Sequence, residues 1–114
     1  MSRDLDHKVD LAFLAAFYGP LLTKNQRRIL SLYCEEDFSL GEIAVEVGIS
    51  RQAVHESLTR AAARLEEMES ALGTAARFRR METGLEDALS AVQKKEYTQA
   101  EQILKTLLDL DQEE

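Results

Sequence analysis

The amino-acid sequence predicts an all-α protein, a helix-turn-helix bundle with a long fourth helix and a C-terminal helical hairpin. Glycine and proline are scarce, at 5 and 1 of the 114 residues, so few positions interrupt a helix. β-branched residues are too thinly spread to build strands, and apolar residues recur at the three- and four-residue spacing of helices. We therefore expect helices joined by short turns along the whole chain.

The first two helices are predicted from apolar spacing and from their end signals. The first covers about residues 4–18 and ends at Gly19-Pro20. The second begins at a capping box formed by Thr23 and Gln26 and runs to about Cys34. The apolar positions that define the first helix are Val9, Ala12, Phe13, Ala16 and Phe17.

The third and fourth helices carry the most specific pattern. A helix-turn-helix needs a small residue where its helices cross, a turn residue that tolerates positive φ, and an apolar residue on the second helix facing the first. Ala44, Gly48 and Val54 stand at these places, and Ser39 and Ser50 are placed to cap the two helices. The predicted core of the motif is Ile43, Ala44, Gly48, Ile49, Val54 and Leu58.

The fourth helix is predicted to run about 22 residues, or about 33 Å, which is long for a small bundle. Its far apolar positions, Leu65, Met68 and Leu72, then require cover from a later helix or another chain. We expect residues 1–72 to form the helix-turn-helix domain, with its turn near residues 47–50. Residues 73–114 are expected to form a helical extension that packs on the long helix or on a second subunit. A homodimer through the helices after Leu65 is the predicted assembly.

The extension itself is predicted to be a helical hairpin. A capping box formed by Thr98 and Glu101 is expected to open its last helix. The apolar stripe on its first helix comprises Phe78, Met81, Leu85, Leu89 and Val92, and the stripe on its second comprises Ile103, Leu104, Leu107 and Leu108.

The composition is that of a globular chain, with 45% apolar and 31% charged residues. The N-terminus lacks a signal-peptide layout, and no stretch approaches the roughly 18 apolar residues of a membrane span. The single Cys34 has no partner for an internal disulfide, so we expect a cytoplasmic protein without membrane insertion. The formal net charge of −7 disfavours nucleic-acid binding unless a local basic patch offsets it.

The polar face of the fourth helix is the candidate binding site. Arg51 and Gln52 are side chains that read guanine and adenine edges, and Ser50 at the helix N-terminus could hold a phosphate. The alternative is an ordinary solvated face, which Glu56 favours because its carboxylate opposes phosphate. The candidate contact residues are Ser50, Arg51, Gln52, His55, Thr59 and Arg60.

Catalytic, cofactor and metal sites are not expected. His7 and His55 lie on separate predicted helices without the spacing of zinc ligands, and no phosphate-binding glycine loop or nucleophile elbow is present. Acidic pairs such as Glu35-Glu36 stand in polar runs, which are more typical of a solvated face than of acid/base catalysis. A binding protein is therefore favoured over an enzyme.

Several separated motifs resemble the YlxM family, over about residues 9–72. They are Phe17-Tyr18, Leu21-Leu22-Thr23, Tyr33, Asp37-Phe38-Ser39-Leu40-Gly41-Glu42-Ile43-Ala44 and Ser50-Arg51-Gln52-Ala53-Val54. The same helix-turn-helix is similar to region 4 of bacterial sigma factors. The resemblance implies a bacterial cytoplasmic protein with a sigma region 4-like fold and a regulatory role in the signal recognition particle pathway.

Three functional hypotheses follow. The leading one is an accessory factor that binds protein or RNA components of the signal recognition particle. The alternative is a sequence-specific DNA-binding regulator, which we expect to act as a two-fold dimer because one small acidic domain binds DNA weakly. In the third, the helix-turn-helix is a protein-docking scaffold that has lost nucleic-acid binding.

Overall fold

The computed structural model describes residues 2–110, and it confirms an all-α protein. No strand occurs in this range, and none of its helices is long and apolar enough to cross a membrane. The chain divides into two compact units, Met1–Gly73 and Thr74–Glu114. The helices are α1 (Ser2–Tyr18), α2 (Lys24–Cys34), α3 (Leu40–Val47), α4 (Arg51–Leu72), α5 (Thr74–Gln93) and α6 (Tyr97–Leu110), with a 3-10 turn at Gly19–Leu21 after α1.

Reciprocal capping boxes fix the starts of α2 and α3, as predicted. The Thr23 hydroxyl accepts a hydrogen bond from the Gln26 backbone N–H at 3.1 Å, and the Gln26 side chain accepts one from the Thr23 N–H at 3.2 Å. Ser39 and Glu42 make the same pair of bonds at 3.1 and 2.8 Å. Each box satisfies backbone donors that the first helical turn leaves without a partner.

The turn between α3 and α4 is made by Gly48, which has φ 79° and ψ 35°. In this left-handed conformation, the N–H groups of Gly48 and Ile49 both donate to the Ala44 carbonyl, at 2.9 and 3.1 Å. The Ser50 hydroxyl then accepts from the Ala53 N–H at 3.0 Å and starts α4. The predicted turn and cap are therefore both formed.

The core of the first unit forms where α3 and α4 cross. Ile43 and Val54 are both 0% exposed, and Leu58 is also buried. Ala44 and Ile49 are partly buried and pack against this core, as the helix-turn-helix pattern predicts. The buried cluster comprises Leu11, Tyr18, Leu22, Ile29, Leu30, Ile43, Val54, Leu58, Ala61, Leu65 and Met68.

The far half of α4 is covered by α1, from within the same unit. Leu65 and Met68 share the core cluster with Leu11 and Tyr18 of α1. The Tyr18 hydroxyl also donates to the Glu69 carboxylate at 2.6 Å. The expectation that these two side chains need a later helix or another chain was therefore wrong.

The apolar positions from which α1 was predicted form its inner face only in part, since Phe17 packs against the core. Val9 is 55% exposed and Ala16 is exposed, whereas Leu11 and Tyr18 are buried. Leu11, Tyr18 and the partly buried Leu14 also recur at helical spacing, so α1 carries two apolar stripes. The stripe that reaches α4 is the one that ends in the tyrosine bonded to Glu69.

A polar contact ties α1 to the connector between α2 and α3. The Lys8 ammonium lies 2.6 Å from the Asp37 carboxylate and 4.5 Å from the centre of the Tyr33 ring. Its hydrogen bond and charge hold the pKa of Asp37 below its usual value. Asp37 has φ 58°, a left-handed conformation that aspartate tolerates better than most residues.

The second unit is a hairpin of α5 and α6 that packs through small residues. Ala88, Ala91 and Ala100 are buried with Leu107, and a Cβ atom at Gly84 would collide with the Leu107 side chain. The two helices therefore approach closely. Contrary to the predicted inward stripes, the exposed side chains include Phe78, Leu85, Leu89, Val92, Leu104 and Leu108.

The predicted capping box of the last helix does not mark its start. Helix α6 begins at Tyr97, and the Ala100 N–H donates to the Glu96 carbonyl at 3.0 Å. Glu96 therefore occupies the N-cap position and Thr98 lies inside the first turn. Lys95, with φ 63°, turns the chain just before this point.

Replacement of Gly48 by alanine tests the turn. An added Cβ meets no atom within 4 Å, so the cost comes only from the left-handed backbone. We expect Gly48→Ala to lower the free energy of unfolding by about 1 kcal/mol in urea titrations. Gly41→Ala lies inside α3, where an added Cβ would make only an ordinary contact with the Ser39 hydroxyl at 3.9 Å, so this control should leave stability unchanged or raise it. Equal effects of the two substitutions would contradict the role given to Gly48.

Candidate functional site

The first half of α4 presents a polar outer face, and all of its candidate contact residues are exposed. Val54, Leu58 and Ala61 hold the opposite side of the same helix in the core. Because these buried residues anchor α4, the position of the outer face is fixed by the packing on the opposite side of the helix. The exposed set is Ser50, Arg51, Gln52, His55, Thr59 and Arg60.

Several of these side chains bond within α4. The Gln52 amide donates to the Glu56 carboxylate at 3.4 Å, a long hydrogen bond between residues one turn apart. The Thr59 hydroxyl donates to the His55 carbonyl at 2.9 Å. A partner that accepts a hydrogen bond from the Gln52 amide would therefore have to displace the Glu56 carboxylate. The negative charge of Glu56 also disfavours the binding of anionic ligands to this face.

The charge of the face is mixed. Arg51 and Arg60 form no ion pair with any side chain that the structure describes, those of residues 7–110. Glu56 lies between them along the helix and offsets part of their charge. The nearby Arg28 on α2 lies 3.7 Å from Glu46 on α3, so its charge is also balanced locally. The face thus offers two free cations around a carboxylate, not a continuous basic patch.

Grooves border the face on both sides. On the α1 side, His55 and Thr59 line a groove of about 390 Å³ whose other walls include His7, Leu11 and Tyr33. On the α2 side, Glu56 and Arg60 line a groove of about 350 Å³ together with residues at the start of that helix, among them Thr23 and Gln26. The outer face of α4 is therefore a polar ridge between two depressions.

The structure brings together two residues that sequence reasoning kept apart. His7 and His55 belong to different helices, as predicted, yet they line the same groove. The sequence held no signal for this, because it follows from which stripe of α1 packs inward. Among residues 7–110, whose side chains the structure describes, no three of the histidine, cysteine, aspartate or glutamate types are grouped so that they could hold a metal ion.

Cys34 lies outside this face. The thiol is half-buried, and burial raises its pKa above the ordinary value. A thiol in such surroundings is protonated at neutral pH and is a weak nucleophile. Its position at the end of α2 agrees with a packing role.

Comparison with known proteins matches nearly the whole chain to one family. Residues 5–110 fit the model of UPF0122, whose description is a helix-turn-helix protein that is YlxM / p13 like. The UPF0122 protein of Halalkalibacterium halodurans is 41% identical over 107 residues, which cover 94% of this chain and 96% of the relative. The UPF0122 protein of Symbiobacterium thermophilum is 41% identical over 97 residues, 85% of this chain and 91% of the relative. That of Acetivibrio thermocellus is 47% identical over 74 residues, 65% and 63% of the two chains.

Two substitutions of Ser50 separate its capping role from any contact role. Ser50→Ala removes the acceptor for the Ala53 N–H and should lower the free energy of unfolding by about 1 kcal/mol. Ser50→Asp keeps an N-cap acceptor and should stay close to wild type in the same urea titration. If Ser50→Ala leaves the free energy of unfolding unchanged, this cap does not stabilise α4.

Proposed function

Because the chain belongs to the UPF0122 family of YlxM- and p13-like helix-turn-helix proteins, we propose that it is a non-catalytic regulatory protein of the signal recognition particle pathway. In this proposal, the outer face of α4 binds the protein component of the particle. The observation that carries the proposal is the ridge itself. Its side chains are exposed while the helix beneath them is anchored in the core, which is the arrangement of a rigid recognition element.

The charge of the ridge favours a protein partner over a nucleic acid. Phosphates would meet the Glu56 carboxylate between Arg51 and Arg60, on a chain with a net charge of −7. A protein surface can instead pair acidic groups with the two arginines and a basic group with Glu56. The net charge would also steer a basic partner toward the complex.

The bordering grooves add apolar contact area. The partly buried Tyr33, Leu40 and Ala62 contribute to the walls of the groove on the α1 side. Side chains that insert into such depressions supply most of the binding energy in many protein complexes. A partner element that lies across the ridge can therefore place apolar side chains in the grooves and charged ones on the ridge.

Titration with the purified GTPase of the signal recognition particle tests this proposal. We expect binding at micromolar concentration, and a loss of affinity of about tenfold or more for Arg51→Glu, which reverses a charge on the ridge. Arg64→Glu makes the same charge change on α4 outside the ridge, where Arg64 contacts only Glu67 in the described residues, and should bind as wild type.

Failure of the GTPase to bind would contradict the proposed partner, and equal losses for the two variants would contradict the proposed surface. The RNA of the particle, titrated alone, provides the remaining arm of the experiment. Binding to this RNA with a steep salt dependence, and not to the GTPase, would replace the protein partner by the nucleic acid.

A second candidate function is sequence-specific DNA binding. It is favoured by one observation, the exposure of Arg51 and Gln52 in the first turn of α4, where recognition helices carry their base contacts. Selection from a random duplex pool should then enrich one site, and Arg51→Ala or Gln52→Ala should relax its sequence. A pool without enrichment, or a site indifferent to both substitutions, would exclude this function.

A further inference from the structure

The second unit exposes a broad apolar surface on one side of its hairpin. Its side chains are between 44 and 69% exposed. We call it the hairpin face, and it consists of Phe78, Leu85, Leu89 and Val92 on α5 with Tyr97, Leu104 and Leu108 on α6. The helical spacing of these positions places both stripes on the same side of the hairpin, away from the groove lined by Thr83 and Thr106.

The way in which α5 and α6 pack explains why this face is so large. The contact between them uses Ala88, Ala91 and Ala100, and Gly84 lies against Leu107. Small residues at a helix contact bring the two axes close together. The larger side chains are therefore displaced to the flank, where they form one continuous surface two helices wide.

The hairpin face has the size of a stable protein interface. With about half of each large apolar side chain accessible, and about 200 Å² for such a side chain, it offers roughly 700 Å². A standard interface buries about 800 Å² on each partner. Surfaces of this size and composition are rare on monomeric proteins and indicate association.

We infer that the hairpin face binds the same face of a second copy of this chain, so that two hairpins form a four-helix bundle. A two-fold interface requires a surface that complements itself, and a face made of large apolar side chains meets this requirement. A second copy is also present wherever the protein is made, so the face is covered without dependence on another partner. This inference is independent of the function proposed for α4.

Light scattering during size-exclusion chromatography of the full chain tests the inference. At tens of micromolar, wild type should have twice the monomer mass of 12.9 kDa. Leu85→Glu combined with Leu89→Glu puts charges in the centre of the face and should weaken association at least about tenfold, giving a monomer. Thr83→Glu, exposed on the other side of α5, is the control and should remain dimeric.

Crosslinking keeps the test decisive if the double variant loses helix content by circular dichroism. In a Cys34→Ser background, Leu89→Cys should form a covalent dimer with a short bismaleimide, whereas Thr83→Cys should not. A wild-type monomer at tens of micromolar would overturn the inference. A dimeric Leu85→Glu/Leu89→Glu variant, or equal crosslinking at the two cysteines, would overturn it as well.

Discussion

The left-handed turn at Gly48 is the constraint on which the rest of the first unit depends. It ends α3 and lets α4 begin at Arg51, three residues later, so that Ile43 and Val54 meet with no exposed surface. This packing fixes the rotation of α4 about its own axis. As a consequence, Arg51 and Gln52 point to solvent. The exposure of the outer face is therefore a consequence of how the inner face is buried, and a change in the turn would alter the proposed binding surface.

The two units use apolar residues in opposite ways. In the first, large side chains such as Ile29 and Leu65 are shielded completely, so the unit holds a complete core. In the second, alanines and Leu107 lie between the helices, whereas Leu85, Leu89, Leu104 and Leu108 lie outside. Burial of apolar area is the main favourable term in folding. A hairpin with its large apolar side chains on the outside therefore gains much of its stability when another surface covers that face. The proposed binding by α4 and the inferred association through the hairpin face therefore reside in different units and can be tested separately.

Local signals in the sequence predicted the elements well. Thr23, Ser39 and Ser50 each mark a helix start through a bond to a nearby backbone group, and Gly48 marks a stop, so these features need no knowledge of the tertiary fold. The choice of inward face was not predictable where a helix carries two apolar stripes. In α1 it depended on Tyr18 reaching Glu69, and in α5 on alanines outcompeting leucines for the contact with α6.

The candidate residues on α4 could be selected from the sequence because the helix-turn-helix pattern fixes the rotation of this helix. The groove that His7 and His55 share could not be predicted, because it depends on which side of α1 packs inward.

The central claim is that one side of α4 is buried in the core and the other is open to solvent. Nuclear magnetic resonance with a soluble paramagnetic probe measures this directly, through relaxation of side-chain protons by solvent contact. The account predicts strong relaxation for Arg51, His55 and Thr59 and protection for the methyl groups of Val54 and Leu58. Equal relaxation of both sets would contradict it.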